Sequence, residues 1–370
     1  MEKSKGIVDG ELEKSWTSKL IGVLFSLFSA LALLILNTIV QKMNLHFDDV
    51  LFVRALLQSS VGLILIKIKG EPVLVKEVDQ GKDINKIRLT FFAVALSGAI
   101  FNSTDLIAIY FMPLGDAMAI IRSSALPTMV LAAIFQKERL RLYKLLCAIL
   151  LITGIILVIR PPALFESSTD VVKHYGANQS IMLEMNYTTS NRVIIPSNMS
   201  SSRFKYYYVG VTAALICILA GAILRILTKT LVSNKSTNSF GLLLFYASLA
   251  NLVFALILPA FGGSQRILFP AVDVEKYEIW QWVGIFVVAI IGVPYWWMRV
   301  KAIRLISPTI VSFIHTSEII VAYVIQLTIL ETKAYATSLI GSGLIVIACI
   351  GVILEEFVIT LLSPKIQPLF

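Results

Sequence analysis

Apolar residues run through this chain in long stretches, separated by short segments that gather most of the charge. Ten of these runs are long enough to cross about 30 Å of hydrocarbon. They lie near 20–40, 50–67, 89–111, 115–136, 144–160, 206–225, 239–260, 280–298, 305–330 and 336–358. Lipid offers no partner to a bare backbone N–H or C=O, so each run must be a helix. The pattern predicts an all-α, polytopic membrane protein with ten transmembrane helices.

Composition supports this reading. Hydrophobic residues make up 57% of the 370 and charged residues 15%, whereas a soluble domain carries about a quarter charged. A net charge of +9 suggests nucleic acid only until its positions are considered, because the basic residues cluster in short loops between apolar runs. The lipid bilayer, and not nucleic acid, is the partner this distribution fits. Cys147, Cys217 and Cys349 all lie inside apolar runs and have neither disulfide nor metal-binding spacing. The N-terminus carries charges of both signs, and the run after it is too long for a signal-peptide core, so it reads as a retained first span.

Charge also gives direction. With the N-terminus cytoplasmic, the inner segments hold more than twice as many Lys and Arg as the outer ones, and Arg54 and Arg122 fall within spans. The chain then divides into a cytoplasmic N-terminus (1–19), a five-helix unit (20–160), a lumenal or extracellular loop (161–205), a second five-helix unit (206–358) and a cytoplasmic tail (359–370). The outer loop contains glycosylation sequons at Asn178, Asn186 and Asn198, on the side where glycans are attached.

An odd number of helices per unit forces the two halves into opposite orientations. Aligning Glu138 with Glu331 sets Pro113–Glu138 and Leu145–Ile159 against Ile306–Glu331 and Ser338–Val352. Each half gives an apolar helix, a short charged turn holding Glu, and a Gly-containing apolar helix. Transporters often use this inverted-repeat plan, with the substrate site at the repeat interface near the midplane.

Several stretches carry a family likeness. They are Phe111-Met112-Pro113-Leu114-Gly115-Asp116-Ala117, Lys137-Glu138-Arg139, Thr153-Gly154 and Arg160-Pro161-Pro162 in the first half. In the second half they are Thr316-Ser317-Glu318 and the Gly341–Gly343 helix. Over roughly 20–358 the chain resembles the drug/metabolite transporter superfamily with two EamA-type units, and most closely the G branch of solute carrier family 35. The resemblance implies carriage of nucleotide sugars or other small, often anionic metabolites at an endomembrane or the plasma membrane. Arg122 and the long 161–205 loop depart from the pattern and leave the substrate open.

Ionisable residues at membrane depth are functional candidates by default. Arg54 and Asp105 fall at similar depth on adjacent antiparallel spans, which predicts a structural ion pair. Asp116, opening the fourth span beside Gly115, reads as an N-cap. Arg122, His315 and Glu318 lie deeper, and the repeat alignment makes Arg122 equivalent to His315. Ser312, His315 and Thr316 share a helix face and Ser123 adjoins Arg122, so these six residues are the substrate-binding candidates. A guanidinium suits a carboxylate or phosphate, and His315 with Glu318 suits a proton relay. The alternative is a wholly internal Arg122–Glu318 pair that only fixes packing.

No nucleophile set, phosphate loop or metal cluster stands out, so an enzyme is not expected and no cofactor is implied. The function expected is secondary transport of a small, anionic organic metabolite by alternating access. A membrane adaptor that keeps the transporter fold and works through protein partners is the alternative. A homodimer is left open, as is the choice between plasma membrane and endoplasmic reticulum or Golgi.

Overall fold

The structure, a computed structural model, describes residues 2–70, 84–136, 142–159, 207–233, 239–261, 278–331, 336–348 and 350–351. The sequons at Asn178, Asn186 and Asn198, the turn residue Glu138 and Cys349 lie outside them. Among the described residues every element is helical. In chain order these are α1 (Glu2–Lys42), α2 (Phe47–Ile68), α3 (Ile84–Phe111), α4 (Leu114–Arg122), α5 (Ala125–Gln136) and α6 (Leu142–Ile159). Then follow α7 (Tyr207–Ser233), α8 (Phe240–Phe261), α9 (Ile279–Leu305), α10 (Pro308–His315), α11 (Glu318–Thr328) and α12 (Ala336–Ala348).

The helices are arranged inside out relative to a water-soluble bundle. On α1, Leu20, Leu24, Leu27, Leu31 and Ile35 recur every three or four residues on the exposed face, while Ser26, Ser29 and Asn37 are buried. Water would strongly oppose that arrangement and hydrocarbon favours it. Among the described residues, eight helical segments are long and apolar enough to cross a membrane, counting α4–α5 and α10–α11 as one each. Two shorter apolar helices, Leu146–Ile159 and Ala336–Ala348, accompany them. The protein is a multi-pass integral membrane protein.

The packing is reciprocal between the halves. Helix α3 packs along α7 and α1 along α9, while α2 lies against α8. Between these pairs, α3 also meets α8 and α2 meets α9. Helices α6 and α12 cross at glycines. A Cβ added to Gly154 would stand 2.6 Å from the carbonyl oxygen of Gly341, and one added to Gly341 would stand 2.6 Å from that of Gly154. Only hydrogen at both positions permits so close a backbone approach.

Two runs predicted as single spans, 115–136 and 305–330, are each broken in the middle. The first breaks at Ser123-Ser124 between α4 and α5, and the second at Thr316-Ser317 between α10 and α11. Pro113 takes the N-cap position of α4, so Asp116 is not the cap; it lies in the first turn, and its Oδ1 accepts from Tyr323 Oη at 2.9 Å. Helix α10 begins conventionally, with Pro308 in the first turn and Ser307 Oγ accepting from Ile310 N.

Candidate functional site

The two helix breaks have the same local chemistry. In α4–α5 the amide of Ser123 bonds back to Ile120 O at 3.1 Å and that of Ser124 to Ile121 O at 3.2 Å. In α10–α11 Thr316 and Ser317 do the same to Phe313 O and Ile314 O, each at 3.1 Å. The hydroxyls of Ser123 and Thr316 both donate to the carbonyl three residues earlier. These tight local bonds replace the regular helical ladder for one turn. The offset that aligns Glu138 with Glu331 also relates Ser123-Ser124 to Thr316-Ser317.

The breaks leave charged groups at helix ends. Arg122 closes α4, His315 closes α10 and Glu318 opens α11. Arg122 and Glu318 sit where helix dipoles favour them, the cation at a C-terminus and the carboxylate at an N-terminus. All three are buried, and they meet. Arg122 Nη2 stands 2.8 Å from Glu318 Oε2. The other carboxylate oxygen, Oε1, lies 2.6 Å from His315 Nδ1. On its far side His315 Nε2 lies 3.2 Å from Ser29 Oγ on α1. Helices α1, α4, α10 and α11 are thereby joined through one carboxylate.

Of the six residues singled out for substrate binding, Arg122, His315 and Glu318 form this cluster, and Arg122 is engaged by Glu318. Ser312 reaches Thr128 Oγ1 at 3.2 Å. Ser123 and Thr316 spend their hydroxyls on their own helix ends and shape the breaks.

The predicted ion pair between Arg54 and Asp105 is not formed. Both residues are buried, but no salt bridge joins them, and Arg54 Nη2 and Asp105 Oδ1 lack hydrogen-bond partners. Arg54 instead lies across α9, with its Cζ 5.8 Å from the centre of the Tyr295 ring. Gly292 leaves room for it, since a Cβ there would come within 3.0 Å of Arg54 Nε and 2.7 Å of Gln58 Nε2.

Two further arginines belong to this interior although their positions read as cytoplasmic span ends. Arg225 and Arg299 are buried within α7 and α9, which continue to Ser233 and Leu305. The signal was present, because each stands alone between apolar residues, Leu224 and Ile226 or Met298 and Val300. Arg225 Nη1 donates to Ser124 Oγ at 3.0 Å and Thr128 Oγ1 at 3.2 Å, so it grips α5 beside the first break. Arg299 Nη1 donates to Tyr295 Oη at 2.7 Å, and its Cζ sits 5.0 Å from the Phe101 ring centre, a cation–π contact.

Arg54, Arg122, Arg225 and Arg299 therefore bring four guanidinium groups into the protein interior. Each keeps one buried nitrogen without a hydrogen-bond partner: Arg54 Nη2, Arg122 Nε, Arg225 Nε and Arg299 Nη2. Among the described residues, the carboxylates that interact with them are Asp105 and Glu318. The other buried acids, Asp49 and Asp116, lie in the first turns of α2 and α4. Among the described residues, no group of three His, Cys, Asp or Glu side chains could hold a metal ion.

Residues 19–160 match the EamA-like transporter family. A search of curated proteins gives no match. A solved structure described only as "Crystal structure of protein" is similar in fold, with a TM-score of 0.52 and 13% identity, over 92% of this chain and 97% of that one.

Proposed function

We propose that this chain is a secondary transporter that carries a small organic anion across the bilayer by alternating access. The observation that carries the reading is the charge of its interior, where, among the described residues, four guanidinium groups interact with two carboxylates, Asp105 and Glu318. Unbalanced buried charge costs several kcal/mol per ion, and an anionic passenger would supply the missing counter-charge. A guanidinium with a spare N–H suits the planar oxygens of a carboxylate or phosphate. The match to the EamA-like transporter family over the first half supports transport rather than catalysis.

The ten apolar helices are best read as two five-helix units in inverted orientation. The reciprocal packing supports this, as does the matched offset of the two breaks. Corresponding clamps support it too. Gln41 Nε2, at the end of α1, donates to Met112 O at 2.9 Å in the α3–α4 turn. Lys229 Nζ, near the end of α7, donates to Ile306 O at 3.1 Å in the α9–α10 turn. Rocking of one unit against the other would then expose the arginines to each side in turn. Both termini would be cytoplasmic and the 161–205 loop lumenal or extracellular. A membrane adaptor has no use for so costly an interior.

Ligand-dependent thermal unfolding of the detergent-purified protein tests the reading. An anion present at about a hundred times its dissociation constant stabilises by about 2.7 kcal/mol, so a phosphate or carboxylate compound should raise Tm. Amines of equal size should not. A Tm raised by amines and unmoved by every anion would contradict the proposal.

A further inference from the structure

The residues at the helix breaks also hold a proton. Glu318 Oε1 and His315 Nδ1 are 2.6 Å apart, and both side chains are buried. Two lone pairs facing each other at that distance would repel, so a hydrogen lies between them. The far side of the imidazole sets how many protons the pair holds. Ser29 Oγ lies 2.8 Å from Ser26 O and 3.2 Å from His315 Nε2, and its single proton goes to one or the other. With Ser29 donating to Nε2, the pair holds only the proton between Nδ1 and Oε1. With Ser29 turned to Ser26 O, Nε2 carries a hydrogen and the pair holds two. The site therefore has room for one proton that can enter and leave.

The same carboxylate is what Arg122 holds through Oε2. We propose that His315 and Glu318 form a proton-binding site, and that Arg122 couples it to anion binding by exchanging Glu318 for the anionic group of the passenger. The coupling rests on the anion-transport reading above. When the passenger takes the guanidinium, Glu318 loses its cation, and a buried carboxylate without one is held more cheaply as the neutral acid. While Arg122 engages Glu318 the pair holds the one proton between Nδ1 and Oε1. On exchange it takes a second from water on the side of entry, which leaves Glu318 as the neutral acid, Nδ1 of neutral His315 accepting from it and Nε2–H directed to Ser29. That second proton leaves to water on the other side. No bond to the passenger is made or broken, and one proton crosses with each exchange at Arg122. The other charged groups interacting with this pair are Arg225 on α7, Arg299 on α9 and Asp105 on α3. Arg122 is distinguished from Arg225 and Arg299 by direct contact with the carboxylate.

Infrared difference spectroscopy of the detergent-purified protein across pH steps, in H2O and D2O, reads the site directly. Wild type should give one protonated-carboxyl band that shifts in D2O and is lost in Glu318→Gln. The midpoint of its titration should move in His315→Gln, and in the smaller change Ser29→Ala. If Glu318→Gln does not fold, Glu318→Asp should shift the band. A band that persists in Glu318→Gln, is unmoved in Glu318→Asp, or titrates identically in His315→Gln overturns the site.

Proteoliposomes holding a pH-sensitive dye then test the coupling, with inorganic phosphate, a monocarboxylate and a nucleoside monophosphate as probes. Uptake of any of these should acidify the lumen in step. Uptake without acidification overturns the coupling and leaves anion transport standing. A titrating band with no uptake of any probe supports the proton site and overturns both the coupling and the transport reading.

Discussion

Arg122 and Glu318 face each other at 2.8 Å across two broken helices, each side chain only 1% exposed. Both side chains are buried, so the contact closes α4 against α11 with little tolerance for loss of one partner. Removing one member of a buried pair commonly costs about 3–5 kcal/mol, because the other charge is left uncompensated. Glu318→Ala and Arg122→Ala should each destabilise the purified protein by about that much, seen as a lowered Tm. The double substitution should recover part of the loss, read as a coupling energy in a double-mutant cycle. Simple addition of the two losses would mean that the contact contributes nothing specific.

The crossing of α6 and α12 makes a prediction about small changes. Gly341→Ala puts a methyl 2.6 Å from a backbone oxygen, and backbone cannot rotate aside as a side chain can. Overpacking of this kind costs about 1–3 kcal/mol. Gly343, on the same helix, would meet nothing within 4 Å. Gly343→Ala should therefore be neutral or stabilising by about 0.5–1 kcal/mol, through helix propensity alone. Thermal unfolding of the two variants side by side should separate them. Equal Tm values would contradict the close approach.

Arg225 tests whether the interior arginines serve the passenger or only the fold. Its bonds to Ser124 and Thr128 both leave from Nη1. Arg225→Lys should keep one such donor, and with it the folded yield. The lysine loses the planar fork, so anion affinity should fall by roughly tenfold, the worth of about 1.4 kcal/mol. The measurement is anion-induced Tm shift against concentration. Unchanged affinity in Arg225→Lys and in Arg299→Lys would remove both residues from the site.

Topology is tested by glycan mapping. Asn178, Asn186 or Asn198 should carry glycan removable by endoglycosidase. Asn234, in the acceptor-like Asn234-Lys235-Ser236 between the sixth and seventh expected spans, should remain bare. Glycan on Asn234 would invert the orientation.

Much of the architecture was legible because hydropathy is a local property. Apolar runs mark where lipid is the solvent whatever the neighbours do, and each run predicted as a span holds a helix among the described residues. The breaks were not legible. Ser123 and Thr316 read as substrate-binding hydroxyls within unbroken spans, and only the meeting of Arg122, His315 and Glu318 gives the helix ends there a purpose. The repeat alignment did set Arg122 on His315, and both end their half-helices. Arg54 and Asp105 were paired by depth, but depth fixes height along a helix and not direction around it. Arg54 turned to Tyr295 instead. The positive-inside rule counts charge and is blind to burial, so it places Arg225 and Arg299 at cytoplasmic span ends. The charge bias survives their removal from the count, but the interior cannot be understood without them.

The central claim is that a positively charged interior selects anions for transport. Uptake into proteoliposomes tests it most directly, with wild type, Arg225→Gln and protein-free vesicles offered matched anionic, neutral and cationic solutes. The account requires wild-type uptake confined to anions, with at least a tenfold loss in Arg225→Gln at equal folded yield. Uptake of cations or neutral solutes in preference to every anion, unchanged in Arg225→Gln, would contradict it.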